Sequence, residues 1–268
     1  MRRHRPAAPW LALAALAVAA APAQAEDLRL GTEGAYPPYN YIDASGELQG
    51  FDIAFGNTLC ERMGVTCEWV AQDWDGIIPA LLNGRYDAIV AAMSRTDERR
   101  AQIAFSNAYT DTPVWLVGRA DEFAGVESFE DAVAALQGKT VGVQTATIFQ
   151  DFVEQQLGDS VELRLYDTQD NLGLDLGAGR LDAGVADSLA WEAFLDSEGG
   201  QGFARFGPSL TGQDFPELGE GFGIGLRQED TDLLARINAA ICGMIADGTL
   251  EALHQEYLGF YSPIACEQ

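Results

Sequence analysis

The sequence contains few basic residues, and this shortage excludes one class of partner. It has 16 Lys and Arg against 41 Asp and Glu, which gives a formal net charge of −25. Nucleic acid is therefore not an expected partner, because binding to phosphates requires a basic surface. The acidic excess either keeps the protein soluble, which we favour, or concentrates cations near its surface.

Histidine is also scarce, and this disfavours zinc binding and acid–base chemistry. The chain has two His, of which His254 is the only one beyond the N-terminal segment. The four Cys lack the paired spacing of a zinc site. With a single histidine in the mature chain, we find no candidate Ser/His/Asp or Cys/His catalytic set. We therefore expect no metal, no cofactor and no enzymatic activity.

The N-terminus has the three parts of an export signal. A basic start is followed by an unbroken apolar run at residues 10–21 and by the small-x-small sequence Ala23-Gln24-Ala25. The apolar run is too short to span a bilayer, so we predict that residues 1–25 form a cleaved signal peptide. No cysteine lies at the cleavage point, which argues against a lipid anchor and favours the periplasm.

The four cysteines of an exported chain predict two disulfides, with three possible pairings. Cys60 and Cys67 flank a predicted helix end and strand start, which brings two Cα atoms within disulfide range. Cys242 lies in a predicted helix and Cys266 in the C-terminal tail. Among the three pairings we favour Cys60–Cys67 with Cys242–Cys266.

Apolar runs alternate with helical segments, which predicts βαβ units and an α/β fold with a mostly parallel sheet. The predicted strands cover residues 27–32, 67–70, 86–92, 114–117, 139–144, 181–186 and 221–228. Residues 33–40, which contain proline and glycine, are predicted to form an irregular turn. Ligands of such sheets bind beyond the carboxyl ends of the strands. Polar or aromatic residues follow four predicted strand ends: Glu33, Tyr36, Trp74 and Ser94.

The segment after the strand at 86–92 predicts a carboxylate-binding corner. Thr96 or Asp97 is a candidate N-cap, and Arg99 adds a planar fork that pairs a carboxylate through two hydrogen bonds. The small side chains of Ala91 and Ala92 let a ligand approach the backbone. Taken alone, the segment fits a solvated arginine better, because most arginines near a helix start are exposed.

Two residues of the second half are further candidates. Thr147 follows the strand at 139–144 and is a predicted N-cap that could bind an anion. Asp187 follows the strand at 181–186, where its carboxylate could meet an ammonium group. The same position also suits a plain N-cap, and the residues alone favour neither interpretation.

Eight stretches of the chain occur in the order typical of one family. They are Gly31–Tyr39, Gly50–Ile53, Trp74–Pro79, Asp87–Ser94, Val141–Gln144, Gly179–Ala183, Gly223–Leu226 and Asp247–Thr249. With them, the chain resembles the periplasmic polar amino-acid-binding proteins of ABC importers, which have a type II-like fold. It is most similar to the receptors for lysine/arginine/ornithine and histidine and to the opine receptors for octopine and nopaline.

The resemblance implies two α/β lobes, joined by two hinge strands, that enclose a ligand in the cleft. Lobe 1 would comprise residues 26–110 and 213–268, and lobe 2 would comprise residues 111–212. The implied partners are a small amino acid or opine and an ABC permease in the inner membrane, and we expect the receptor itself to be a monomer.

The resemblance also implies a role for each candidate residue. Ser94, Arg99 and Thr147 match the positions that hold the ligand α-carboxylate, and Asp187 matches the acid that holds the α-ammonium. The other matches are Tyr36 and Trp74 for the aromatic pair around the side chain, and Glu33 for the acid that meets a basic head group.

Some residues depart from the pattern of the basic-amino-acid receptors. Ala91 and Ala92 replace serines and are more similar to the opine receptors, whereas Asp187 favours a primary ammonium and therefore an amino acid. Phe149 and Ala146 also differ from common residues of the basic receptors. We expect arginine first, then lysine, ornithine or histidine, with an opine as the alternative ligand and a periplasmic dehydratase on the same fold as a less favoured activity.

Overall fold

The computed structural model describes Met1 and residues 27–266, so the predicted signal peptide lies, apart from Met1, outside the described residues. Thirteen strands and nine α-helices make up this part of the chain. The strands are β1 (Asp27–Thr32), β2 (Ala35–Tyr36), β3 (Asn40–Ile42), β4 (Leu48–Gln49), β5 (Thr66–Ala71), β6 (Ala88–Ile89), β7 (Ala104–Thr110), β8 (Val114–Arg119), β9 (Thr140–Gln144), β10 (Glu162–Tyr166), β11 (Ala183–Asp187), β12 (Phe203–Leu210) and β13 (Phe222–Leu226). The helices are α1 (Phe51–Met63), α2 (Ile77–Leu82), α3 (Asp97–Arg100), α4 (Phe129–Ala135), α5 (Ile148–Gln156), α6 (Gln169–Gly177), α7 (Ser188–Leu195), α8 (Thr231–Ala246) and α9 (Thr249–Tyr257).

The fold is α/β and two-lobed, with one five-stranded sheet in each unit. The first sheet has the order β5-β1-β6-β13-β7, and the second has the order β10-β9-β11-β8-β12. In each sheet the first three strands are parallel, and the last two run antiparallel to their neighbours. We call the two assemblies the first and the second unit.

The antiparallel strands correct the prediction of a mostly parallel sheet. The chain leaves the first sheet along β7, enters the second as β8, and returns from β12 to β13. A strand that leaves a sheet and one that returns to it run in opposite directions, so β7 and β13 pair antiparallel. The sequence shows helical crossovers within a unit, but it does not show which connections pass between units.

Two other local predictions are corrected by the hydrogen bonding. The predicted irregular turn at 33–40 contains β2, which pairs with β3 around a turn with a cis bond between Pro37 and Pro38. The predicted strand 86–92 is regular only at Ala88–Ile89, and the backbone turns shortly after it at Ala92, whose φ is 47°. This early end of the strand lets the following residues bend into the space between the units.

Each unit has its own apolar core, built from strands that are covered on both faces. In the first unit, β1 packs with α1 and α8 through residues such as Leu30, Phe55 and Ile241, each fully buried. In the second, Val143 and Trp191 belong to the corresponding cluster. Burial on both faces explains why these strands appear in the sequence as continuous apolar runs.

All four cysteines lie in the first unit and form two disulfides. Cys60 is bonded to Cys67, with Cα atoms 5.9 Å apart, and Cys242 is bonded to Cys266, with Cα atoms 5.3 Å apart. This is the pairing favoured from the sequence. The first disulfide ties the end of α1 to β5, and the second ties α8 to the C-terminal tail.

No single helix in the described ranges is both long and apolar enough to cross a membrane. Helices α8 and α9 meet that criterion only as a pair, and a bend of 79° separates them.

Candidate ligand-binding site

A pocket of about 310 Å³ lies between the two units, at the carboxyl ends of strands from both sheets. All nine residues that the sequence analysis proposed as ligand-binding line this pocket, together with three others. The lining residues are Glu33, Tyr36, Trp74, Ala91, Ala92, Ser94, Arg99, Gln144, Thr147, Ile148, Phe149 and Asp187. Their roles in binding stay predictions.

The predicted carboxylate corner contains a buried arginine. Thr96 is the N-cap of α3, and its hydroxyl accepts a hydrogen bond from the backbone N–H of Arg99 at 3.2 Å. This cap orients the first turn so that the Arg99 guanidinium reaches back and donates to the Ser94 carbonyl at 3.0 Å. Arg99 is only 9% exposed, so the interpretation as a solvated arginine does not fit the structure.

The Arg99 guanidinium is held in place without an ion pair. It lies 5.3 Å from the centre of the Trp74 ring, a cation–π contact of about 0.5–2 kcal/mol. None of the carboxylates within the described residues forms a salt bridge with it. Burial lowers the pKa of Arg99 to about 10, although nearby acids, with Asp151 first among them, oppose this shift. A buried cation of this kind favours an anionic partner.

Thr147 lies opposite this corner, at the start of α5. Its hydroxyl accepts from the Gln150 N–H at 3.4 Å as an N-cap and donates to the Gln144 carbonyl at 2.6 Å. The backbone N–H groups of the first helical turn therefore lie beside the pocket. The preceding Ala146 has φ 55°, a left-handed conformation that turns the chain from β9 into the helix.

Asp187 is the last residue of β11 and has its side chain in the pocket. It occupies the N-cap position of α7, but its carboxylate makes no capping hydrogen bond, so the capping interpretation is wrong. Instead, Tyr36 Oη donates to Asp187 Oδ2 at 2.7 Å, and Thr112 Oγ1 donates to Oδ1 at 3.4 Å. Burial raises the pKa of Asp187 to about 7, and the hydrogen bonds from Tyr36 and Thr112 oppose the shift.

Glu33 forms a second acidic point in the pocket. The carboxylate follows β1 and accepts a hydrogen bond from Gln144 Nε2 at 2.6 Å. Gln144 also donates to the carbonyl of Asp167 at 3.0 Å, which fixes the direction of its amide. Burial raises the pKa of Glu33 to about 7, so this carboxyl favours a cationic neighbour that would stabilise its ionised form.

Two aromatic side chains complete the pocket. The Tyr36 ring stacks on Tyr39 with ring centres 5.6 Å apart, which places its other face toward the cleft. Trp74 Nε1 donates to the Ala146 carbonyl at 2.9 Å. Flat rings lining one pocket suit a flat or elongated side chain.

Three of these contacts connect the first unit to the second. Tyr36 bonds to Asp187, Trp74 to Ala146 and Glu33 to Gln144. The side chains that line the pocket therefore also hold its two walls together.

Gln144, Ile148 and Phe149 line the pocket but are absent from the predicted ligand-binding set. Gln144 is a polar residue at the carboxyl end of an apolar strand, the same signal that marks Asp187, and it could have been found in that way. Ile148 and Phe149 are apolar residues at a helix start, which apolar periodicity does not distinguish from core residues. The resemblance draws attention to Phe149 only as a departure from the basic receptors.

Comparison with known proteins places this geometry in context. Residues 28–260 match the family profile of the bacterial extracellular solute-binding proteins, family 3. The chain is 40% identical over 250 residues to the L-arginine-binding protein of Pseudomonas aeruginosa, with 92% of this chain and 94% of that protein covered. It is 37% identical over 252 residues to the lysine/arginine/ornithine-binding periplasmic protein of Escherichia coli, with 93% of each covered. It is also 37% identical over 235 residues to the octopine-binding periplasmic protein of Rhizobium meliloti, with 80% of this chain and 78% of that protein covered.

Solved structures show the same similarity. An ancestral arginine-binding protein bound to arginine superposes with a TM-score of 0.76 at 31% identity, covering 87% of this chain and 98% of that one. A His/Glu/Gln/Arg/opine family-binding protein from Silicibacter pomeroyi in complex with lysine gives 0.75 at 36% identity, with 90% and 100% covered. An ancestral amino-acid-binding protein that is a precursor of cyclohexadienyl dehydratase gives 0.75 at 28% identity, with 86% and 95% covered.

Proposed function

Because this chain belongs to the bacterial extracellular solute-binding proteins of family 3, we propose that it is the periplasmic receptor of an ABC importer for basic amino acids. Arginine is the preferred ligand, followed by lysine, ornithine and histidine. Residues 1–25 act as the export signal, and the receptor delivers its ligand as a monomer to a permease in the inner membrane. Relatives that bind arginine and lysine support this proposal.

The observation that carries the proposal is the charge pattern of the pocket. One buried arginine and two buried acids, Glu33 and Asp187, line it. A basic amino acid carries one carboxylate and two cationic groups, which is the complementary set. Arg99 and Ser94 bind the α-carboxylate with the first turn at Thr147, and Asp187 binds the α-ammonium.

The head group of the ligand lies at the other acidic point. A guanidinium passes between Tyr36 and Trp74, where a stacked cation gains about 0.5–2 kcal/mol per ring. It then meets Glu33, whose carboxylate ionises fully beside a cation. Gln144 keeps this carboxylate in one orientation through its hydrogen bond.

Ligand capture proceeds by closure of two lobes. We place lobe 1 at residues 26–110 and 213–268, and lobe 2 at residues 111–212. The two connections between the sheets, one after β7 and one before β13, act as hinges. A ligand that contacts both lobes stabilises the closed state over the open one, and only that difference shifts the population. The permease then recognises the closed form.

Binding measurements on ligand-free protein test the proposal. We would unfold, dialyse and refold the protein, then titrate arginine, lysine, ornithine, histidine, glutamine, octopine and nopaline by isothermal calorimetry. Cationic amino acids should bind with arginine tightest and glutamine much more weakly. Failure of every cationic amino acid to bind would reject the proposed ligand class. Unchanged arginine after long incubation, followed by NMR, would distinguish a receptor from a dehydratase-like enzyme.

An opine is the second candidate, supported by Ala91 and Ala92 and by the similarity to an octopine-binding protein. An opine carries a second carboxylate on its amine. Arg99 is the single cationic side chain among the described residues that line the pocket, and Asp187 lies where that second carboxylate would approach. We therefore rank opines below arginine, and binding confined to octopine or nopaline would reverse this order.

A further inference from the structure

The motif Gly50-Phe51-Asp52-Ile53 lies outside the pocket, yet it contains a fully buried acid. Asp52 has an exposed fraction of 0% and lies in the first turn of α1. A buried carboxylate is costly unless hydrogen bonds compensate for the water it loses. The contacts of Asp52 therefore indicate what the motif does.

The backbone of the motif is locked to the turn that carries Tyr36. Gly50 has φ 110°, and a Cβ at this position would lie 2.4 Å from the carbonyl oxygen of Tyr39, so only glycine fits. The next two N–H groups donate to the carbonyls of that turn. Phe51 N bonds to Pro38 O at 3.1 Å, and Asp52 N bonds to Tyr39 O at 2.8 Å.

The Asp52 side chain extends this link toward the pocket through two arms. In the first arm, Asn40 Nδ2 donates to Asp52 Oδ2 at 2.8 Å, and Asn40 Oδ1 accepts from the Gly34 N–H at 2.8 Å. In the second arm, Tyr109 Oη donates to Asp52 Oδ1 at 2.8 Å and accepts from the Ala92 N–H at 3.2 Å. Each arm ends on a backbone amide of a segment that lines the pocket.

The charge of Asp52 sets the direction of every hydrogen bond in this network. An ionised carboxylate only accepts, so it forces the Asn40 amide to point its nitrogen inward and the Tyr109 hydroxyl to donate. Both partners must then use their acceptor sites for the Gly34 and Ala92 amides. A neutral amide at position 52 has an NH2 group that donates in place of one of the two accepting oxygens, which removes this constraint from one arm.

Both segments need such support because their backbones turn sharply. Gly34 has φ 79° and Ala92 has φ 47°, and the left-handed conformation is unfavourable for alanine. Gly34 follows Glu33 directly, and Ala92 belongs to the wall formed with Ala91.

We propose that Asp52 is a positioning residue of the ligand pocket, which holds the Glu33–Tyr36 segment and the Ala91–Ala92 segment in register through Asn40 and Tyr109. It acts on the ligand through these segments and does not touch it. This inference deepens the proposed function. Its test by affinity rests on that function, because it uses arginine as the ligand, whereas its test by hydrogen exchange does not.

Affinity measurements on isosteric variants provide the first test. Asp52→Asn and Tyr109→Phe should each weaken arginine binding about tenfold at 25 °C, since a hydrogen bond to a charged group is lost in each. Tyr86→Phe is the matched control, because Tyr86 also buries a hydroxyl, which donates to the Ile77 carbonyl away from this network. Its Kd should stay within about twofold of the wild type, although its stability also falls.

A double variant separates positioning from general destabilisation. Asp52→Asn with Tyr109→Phe should lose less affinity than the product of the two single losses, because both changes break the same arm. Independent structural damage would give the full product. Circular dichroism would establish that every variant is folded at the temperature of the titration.

Amide hydrogen exchange provides a readout that needs no ligand. In Asp52→Asn the Gly34 and Ala92 amides should exchange faster than in the wild type, while amides in the second sheet, such as Val143, should not change. If arginine and its relatives fail to bind the wild type, the proposed function is rejected and exchange alone decides the positioning role. The inference would be overturned if both amides of Asp52→Asn exchanged at the wild-type rate. It would also be overturned if both single variants bound arginine with the Kd of the wild type.

Discussion

The two units share one strand layout but contribute unequally to the site. Both sheets have three parallel strands followed by two antiparallel ones, in equivalent order. The first unit contains both disulfides, the buried Asp52 network and the Arg99 corner. The second contributes Asp187 and the start of α5. A repeated fold therefore does not imply repeated chemistry.

This difference suggests a division of roles. In the first unit, Arg99, the proposed anchor of the ligand carboxylate, is already held by the Thr96 cap and by the Trp74 ring. The carboxylate of Asp187 bonds to Tyr36 of the first unit and to Thr112 in the connection between the units. We expect the first unit to determine whether a ligand binds at all, and the second to complete the contacts on closure.

The largest effect should come from Arg99→Ala. This change leaves the ligand carboxylate buried without a partner, so arginine affinity should fall about a thousandfold or more, as expected for one half of a buried ion pair. Isothermal titration calorimetry measures this loss of affinity. Arg164→Ala, an exposed arginine of the second unit, is the matched control and should bind normally. Micromolar or tighter binding by Arg99→Ala would place the anchor elsewhere.

The two acids should differ in what they select. Asp187→Asn should weaken arginine and glutamine alike, by about thirtyfold, because both ligands carry an α-ammonium. Glu33→Gln should weaken arginine to a similar extent but change glutamine binding by less than about threefold. A competition assay with both ligands gives the ratio directly. If Glu33→Gln lost the same affinity for arginine as for glutamine, Glu33 would have no role in selectivity.

The pH dependence of binding tests the same acids together. With the two units in contact as in this structure, burial raises the pKa of Glu33 and of Asp187 to about 7, so without a cationic ligand each is partly protonated near neutral pH. A cationic ligand favours the ionised forms, so binding releases protons and affinity falls as the pH drops below about 7. Near pH 7, calorimetry in buffers of different ionisation enthalpy should detect about one proton released in total, because each of the two groups is about half protonated there. Proton uptake near pH 7 would contradict the assignment, and each single variant should release fewer protons.

The smallest effect on affinity should come from the disulfides, which stabilise the first unit without lining the pocket. Replacing Cys242 and Cys266 by serine opens a loop with a sequence separation of 24 and should lower the free energy of unfolding by about 3 kcal/mol. Replacing Cys60 and Cys67, separated by 7, should cost less. Urea unfolding measures both, and arginine Kd at 25 °C should not change. A Kd shift in either pair would show that the disulfide also shapes the site.

Much of the chemistry of the pocket could be predicted because it depends on local patterns. Thr96, Thr147 and Asp187 each follow a strand and precede a helix, an arrangement that places polar groups at the carboxyl edge of a sheet. Gln144 fits the same rule less clearly, because it is the last residue of its predicted strand and not the first residue beyond it. The role of Asp52 could not be predicted, because its partners Asn40 and Tyr109 are distant in sequence.

By itself, the sequence determined the alternation of strands and helices and the α/β class. It favoured the cysteine pairing that forms, and together with the family resemblance it identified nine of the twelve residues that line the pocket. The elements and the fold class depend on apolar periodicity, on capping residues and on spacing along the chain, whereas the roles of the pocket residues follow from the family resemblance. Only the tertiary structure decided the antiparallel half of each sheet, the burial of Arg99 and the pairing of Glu33 with Gln144 and of Tyr36 with Asp187. Those features depend on which segments meet across the two units, and such meetings are set by the packing of whole sheets rather than by any local run of residues.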